Sequence, residues 1–298
     1  MSRFYSSAIR GIPQSKEAPR DTPPTHESSG PAQDNSDSYF QAASWYDSVS
    51  DDDTTDGLQS PFDQFKGVGA HTTFFLPLHY ESNYEYPLVV WLHSDGFNEN
   101  QVTQVMPHIS LRNFVAVGVR ASCAIDSVGH RFEWRTRPGA IQTAYENVMQ
   151  AIDEASAQFS VNASRIVLAG YRSGGAMAMR IALRDPKRFA GVVSLGGRMP
   201  NGCSALSNLS DLRERRLPML WQWATENAMF DSSHLDEDMR RAMMIRAQLE
   251  VRQYRDDDEM NTVALADVNQ WIMGNVVAGA SGTSKDCWAT SPTQFSSN

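Results

Sequence analysis

The sequence predicts an α/β fold, a mainly parallel central sheet with helices on both faces. Three observations carry this. Short, largely apolar runs recur at residues 87–92 (PLVVWL), 114–119 (FVAVGV), 190–195 (AGVVSL) and 218–223 (PMLWQW). Segments with apolar residues at helical spacing separate them, and strands buried on both faces read as such runs. Between strands and helices lie glycine-bearing turns, LHSDG at 92–96 and AGYRSGGA at 169–176. Strands alternating with helices of this length imply βαβ units, whose chemistry sits where strand C-termini meet helix N-termini.

The elements follow in order. Residues 71–78 (HTTFFLPL) and 87–92 are strands, 99–111 a helix, and 114–119 a further buried strand. A helix over 140–159 is predicted by Ile141, Ala144, Val148, Ile152 and Ala155 on one face. A strand running from Arg165 to the turn at Gly170 leads into a helix of small residues, and 190–195 and 218–223 are strands. A charged amphipathic helix covers about 233–248, with a strand near 249–254. The last helix covers about 260–277, with Leu265, Val268, Trp271, Ile272 and Val276 on one face. The domain organisation expected is a loose acidic, Ser/Pro-rich segment over 1–66, a folded domain over 67–279 and a flexible tail over 280–298. Two aromatic islands, Tyr39-Phe40 and Trp45-Tyr46, interrupt the first segment, which otherwise lacks the apolar content to offset the entropy of ordering.

Composition narrows the function classes. The 298 residues are 41% hydrophobic and 20% charged, with a formal net charge of −9. That balance predicts no electrostatic partnership with nucleic acid or with an anionic membrane. No apolar run approaches the roughly 20 residues that span a bilayer, and the first twenty residues hold no apolar core of leader length. Cys123, Cys203 and Cys287 are too few and scattered for a disulfide framework or metal cluster, and read as reduced thiols of a cytoplasmic protein. No metal or cofactor is expected.

Two loops carry the chemistry. In the second, Gly170, Gly174 and Gly175 give the tight spacing of a nucleophile elbow, where one residue takes a strained backbone and its neighbours must be small. N–H groups at the helix start can hold an oxyanion. Together these loops resemble the phospholipase/carboxylesterase family of α/β-hydrolases, which includes the acyl-protein thioesterases. The family's L-H-G-x-G followed by Gln is matched by Leu92-His93-Ser94-Asp95-Gly96 and Gln101. Its elbow A-G-F-S-Q-G-G-A is matched by Ala169-Gly170-Tyr171-Arg172-Ser173-Gly174-Gly175-Ala176. Residues 188–197 (RFAGVVSLGG) and the pairs Asp267-Val268 and Trp271-Ile272 match two later segments in the same order. The resemblance covers about residues 72–277 and implies an α/β-hydrolase fold with an ester or thioester substrate.

The same alignment replaces all three members of the family's triad. Arg172 stands at the nucleophile position and Ser173 one place late, which turns its side chain about 100° around the starting helix. Asn227 stands at the acid position beside Glu226, and counting back from Asp267 places Asp258 where the family has its histidine. Asp95 and Ser173 are the oxyanion-hole equivalents; Arg172 and Trp134 are binding candidates. Three readings follow. In the first, the chain has lost Ser-His-Asp activity and acts as a non-catalytic binding or scaffold protein, with Arg172 paired bidentately to Asp258 or Asp257 across the old centre. In the second, Arg172 anchors a small acyl, carboxylate or phosphate ligand. In the third, a rewired esterase uses Ser173 or Ser194 as nucleophile, His234 as base and Glu226 or Asp231 as acid. His93 is expected to brace its loop.

Overall fold

The computed structural model describes residues 71–200, 209–227 and 232–279. The N-terminal segment with its aromatic islands, the tail after 279, Cys203, Cys287 and Asp231 lie outside the described residues. Within them, seven strands form one sheet: β1 (Thr72–Phe75), β2 (Tyr86–Leu92), β3 (Val115–Val119), β6 (Val161–Tyr171), β7 (Gly191–Leu195), β8 (Pro218–Ala224) and β9 (Gln248–Tyr254). Their spatial order is β1-β3-β2-β6-β7-β8-β9. Only β1 runs antiparallel to its neighbour; every other pairing is parallel.

The apolar runs lie at the centre of the sheet because each buries both faces. All seven residues of β2 are buried, and they alternate between two half-cores. Leu88, Val90 and Leu92 point toward helices α2 (Pro138–Gln158) and α3 (Ser173–Arg184), meeting Val148, Ile152, Ala178 and Ile181. Val89 and Trp91 point the other way, toward α1 (Gln101–Ile109) and α6 (Thr262–Trp271), meeting Val105, Met106, Val268 and Trp271. The period-two alternation of a strand thus feeds two layers of helices, the arrangement expected for parallel sheets.

Boundaries differ from the expectation where local chemistry overrides periodicity. The helix over 233–248 is α5 (Ser232–Met244), stopped by Arg246 at φ 55, a left-handed conformation that ends helices. The last helix begins later, because the Asn261 side chain accepts a hydrogen bond from the Ala264 N–H (2.8 Å) and caps it. Beyond Trp271 it widens into a π-helical turn, Ile272–Val277. Three elements went unpredicted. The two-residue strands β4 (Cys123–Ala124) and β5 (Phe132–Glu133) form a separate antiparallel ribbon, too short to show a period. Helix α4 (Leu209–Arg215) buries Leu212 alone, so no apolar stripe announces it.

Candidate functional site

Strand β6 ends at Tyr171, helix α3 starts at Ser173, and Arg172 alone makes the turn, at φ 48 and ψ −113. Such a backbone in a residue with a Cβ costs about 1–3 kcal/mol and persists only where the surroundings impose it. Its N–H donates to the Leu195 carbonyl (2.7 Å) and its carbonyl accepts from the Ala176 N–H (2.9 Å), so both neighbours of the corner fix it. The helix meets the sheet closely because Gly174 has no side chain. A Cβ there would stand 2.1 Å from the Leu92 carbonyl oxygen and 2.3 Å from that of His93.

The Arg172 side chain is 35% exposed. Its guanidinium lies 4.9 Å from the Tyr171 ring centre, and its Nε is 3.8 Å from Oε2 of Glu259, whose side chain is fully buried. This is an ion pair without a hydrogen bond, and neither atom has a hydrogen-bond partner among the described residues. The expected bidentate contact with Asp258 or Asp257 is therefore corrected in partner and geometry. Asp258 accepts from the Tyr171 hydroxyl (2.7 Å) and the Met260 N–H (2.9 Å), while Asp257 is exposed. The chain turns inward only at Glu259, above Gly196. That residue has φ 67, and a Cβ there would collide with the Glu259 carboxyl carbon at 2.7 Å. The other Glu259 oxygen accepts from the Asn227 amide (2.7 Å) and the Ala224 N–H (3.4 Å). Asn227, Glu259 and Arg172 thus stand in a line from the end of β8 to the corner. Burial and the Asp258 carboxylate push the Tyr171 phenol up, against the opposing charge of Arg172.

The loop after β2 closes the other side. The Asp95 N–H donates to the Ser173 hydroxyl (3.0 Å), which joins the two residues expected at an oxyanion hole. The Asp95 carboxylate accepts from the Trp134 N–H (3.0 Å), and the buried Trp134 indole donates to the His93 carbonyl (2.7 Å). Trp134 therefore buttresses this loop rather than presenting an open binding face. His93 is buried between two backbone partners, Nδ1 against the Ser94 carbonyl (2.7 Å) and Nε2 accepting from the Ala121 N–H (3.0 Å). That pairing fits only a neutral ring protonated at Nδ1, so His93 braces the loop as expected. Behind it, Gln101 Oε1 accepts from the Trp91 indole (3.0 Å) and the Ser94 N–H (3.3 Å). Burial pushes the Glu99 carboxyl up, but its hydrogen bonds to Arg120 outweigh this and hold it below the ordinary range.

Burial lowers the His93 pKa from 6.5 to about 4, against the opposing pull of the Ser94 carbonyl, Asp95 and Glu99. An unfolded chain therefore binds a proton here before the folded one does. The stabilisation from the neutral ring is whole above pH 6.5 and is lost as pH falls toward 4, by roughly 3 kcal/mol in all. Urea unfolding at steps from pH 7 to 4 should show that slope, and His93→Gln should flatten it; an unchanged slope would remove His93 as its source.

The remaining candidates are not brought together. Ser194 is buried and donates to the Gly197 carbonyl (3.1 Å). Glu226 is exposed and paired with Arg255 (3.2 Å). His234 stands on α5, and no hydrogen bond joins it to Ser173 among the described residues. The residue that sequence reasoning missed is Glu259; within the run at 255–259 (RDDDE) no periodicity tells which carboxylate turns inward.

A mainly parallel sheet, helices on both faces and a strained strand-to-helix corner after β6, the fourth strand of that sheet in chain order, define an α/β-hydrolase fold. The family model for phospholipases and carboxylesterases matches residues 125–273, half of the chain. The chain belongs to the phospholipase/carboxylesterase family of α/β-hydrolases. No curated protein matches it. Among solved structures, it is similar to a Bacillus cereus carboxylesterase at 15% identity, over 69% of this chain and 94% of that one, with a TM-score of 0.55. A Mesorhizobium loti carboxylesterase is 16% identical over 63% and 88%, with a TM-score of 0.53. Zea mays acyl-protein thioesterase 2 is 14% identical over 69% and 99%, with a TM-score of 0.52. At these identities the likeness is one of fold.

Proposed function

We propose that this family member has lost serine-hydrolase chemistry and serves as a non-catalytic binding or scaffold protein of the cytoplasm, with residues 67–279 as its folded unit. The observation that carries this reading is Arg172 at the strained corner, backed by buried Glu259 and Asn227. In this reading Arg172, Glu259 and Asn227 take the stations of nucleophile, base and acid, so Glu259 replaces Asp258 as the histidine equivalent. A guanidinium does not give up a proton at any ordinary pH and cannot attack a carbonyl. The neighbouring Ser173 hydroxyl accepts a hydrogen bond from Asp95, where a nucleophile would need a base to take its proton. An oxyanion hole whose N–H is occupied by a protein hydroxyl also has less to offer a tetrahedral intermediate. What the site retains suits recognition: an arginine held from behind by Tyr171 and Glu259, fit for the carboxylate or phosphate of a small ligand or of a protein partner.

The test is hydrolysis of a short-chain p-nitrophenyl ester, with labelling by a serine-directed phosphonate. Wild type and Ser173→Ala should be alike, both at background and both unlabelled. Turnover that disappears in Ser173→Ala would restore the rewired esterase and overturn this reading.

A further inference from the structure

The sheet has two edges, and they differ in how they are protected. Strand β1 has four residues, whereas β9 has seven, with no proline, no lysine and no break in its register to β8. Shortness, proline, lysine or a bulge commonly blunts an edge against further pairing. The Gln248 N–H donates to the Leu217 carbonyl (3.1 Å), and the Tyr254 carbonyl accepts from the Thr225 N–H (2.9 Å), so residues 248 and 254 turn toward β8. Alternation along the strand turns Glu250 and Arg252 the same way. It leaves the N–H and C=O groups of Leu249, Val251 and Gln253 pointing past the edge, where no strand lies among the described residues.

The side chains say which strand fits there. Arg252 bonds to Glu250 (2.7 Å) and pairs with Asp267 of α6 (3.1 Å), whose carboxylate also accepts from the Tyr254 hydroxyl (2.7 Å). Glu250 has Arg252 as its one partner among the described residues, and its side chain is 42% exposed. An antiparallel copy of β9 centred on Val251 sets Glu250 opposite Arg252 of that copy, and Arg252 opposite its Glu250. Moving the centre one residue either way sets Glu250 against Glu250, or Arg252 against Arg252. A shift of two sets Glu250 against Asp256, or Arg252 against Arg246. Opposite charges across an antiparallel pair stabilise it and like charges destabilise it, so charge selects the register at Val251. The strand ends agree with it: Arg246 lies two residues before β9 and Asp256 two after, while Arg255 is held by Glu226 (3.2 Å).

We propose that β9 is a self-association edge, through which two copies of the chain pair antiparallel about a two-fold axis at Val251 and join their sheets into one. The paired strands run oppositely, so the two Arg172 corners open at opposite ends of the joined sheet. A seven-residue edge buries little area by itself, so the dimer is weak and depends on concentration. Binding and catalytic readings of the Arg172 corner leave this edge unchanged, so its test is independent of them.

The test is sedimentation velocity of the full chain from about 1 to 200 μM, over which wild type should pass from monomer to dimer. Arg252→Glu and Glu250→Arg each leave one sign of charge at the paired positions, and each should weaken self-association about tenfold or more. Mixed in equal amounts, these two variants should pair with each other and regain the wild-type affinity. The double swap Glu250→Arg/Arg252→Glu should regain it alone. Because Arg252 also holds Asp267, thermal melts accompany these variants, and Val251→Pro supplies a second route. The N–H it removes points away from β8, so the monomer should stay folded while the dimer is lost. A chain that stays monomeric throughout, a dimer indifferent to the charge variants and to Val251→Pro, or a mixture no tighter than its components would overturn the proposal. The first of these results leaves Glu250 and Arg252 as charges that keep the edge unpaired.

Discussion

Replacing Arg172 by serine, Glu259 by histidine and Asn227 by aspartate, together with Ser173→Ala, should raise ester hydrolysis well above that of the wild-type chain. Each change answers one contact. A serine at the corner would stand where the backbone is already held at φ 48 by Leu195 and Ala176. An imidazole in place of the Glu259 carboxylate would face that serine on one side and residue 227 on the other, as the carboxylate now faces Arg172 and Asn227. An aspartate there would fix its tautomer. Removing the Ser173 hydroxyl frees the Asp95 N–H for a developing oxyanion. Turnover of p-nitrophenyl butyrate should rise about 10²- to 10³-fold over wild type, below the roughly 10⁴–10⁶ that a matured triad contributes. The same set with Asp258→His in place of Glu259→His should gain nothing. Equal gains from both sets, or none from either while circular dichroism shows an intact fold, would remove Glu259 from the station proposed for it.

The largest loss of stability should come from Gly174→Ala, although it adds one methyl group to a helix. The new carbon would stand 2.1 and 2.3 Å from the carbonyl oxygens of Leu92 and His93, in the buried end of β2. Real Cβ contacts do not fall below 3.0 Å, and no side chain is available to swing aside. The helix would have to lift from the sheet, opening the half-core that it covers together with α2, at a cost of about 4 kcal/mol or more. That is a large part of the 5–15 kcal/mol stability typical of a domain. Gly139→Ala is the control: nothing lies within 4 Å of its Cβ position, and it sits in the first turn of α2. It should be neutral or stabilising by about 0.5–1 kcal/mol. Chemical denaturation of both variants measures the contrast, and similar midpoints would show that α3 does not rest on Gly174.

Much of this was readable in the residues alone because one physical requirement wrote each signal. Strands buried on both faces favour apolar residues throughout, so β2 and β3 read as apolar runs and β7 and β8 as runs broken only by Ser194 and Gln222, each buried. Close approach at the corner admits no Cβ, so the glycines at 170, 174 and 175 mark it. What failed to show was decided by contacts distant in the chain. Glu259 rather than Asp258 turns inward because Gly196, on the loop after β7, leaves room for its carboxyl. Nothing within the acidic run encodes that. Trp134 looked like a ligand-facing aromatic, yet its indole is committed to His93, a partner forty-one residues earlier in the chain. The Ser173 hydroxyl meets Asp95 because two loops converge, which neither loop announces.

The contact between Ser173 and Asp95 also bears on how such a site can change over generations. A single change of Arg172 to serine would face a carboxylate at 259 and a hydroxyl already seated on the Asp95 N–H. It would leave a fully buried negative charge without its cationic neighbour, so that change would weaken the fold before it supplied a working nucleophile. The arrangement acts as a ratchet: Arg172, Glu259 and Asn227 are structural complements of one another, and a serine triad can be reached from them only through a first step that runs downhill in stability.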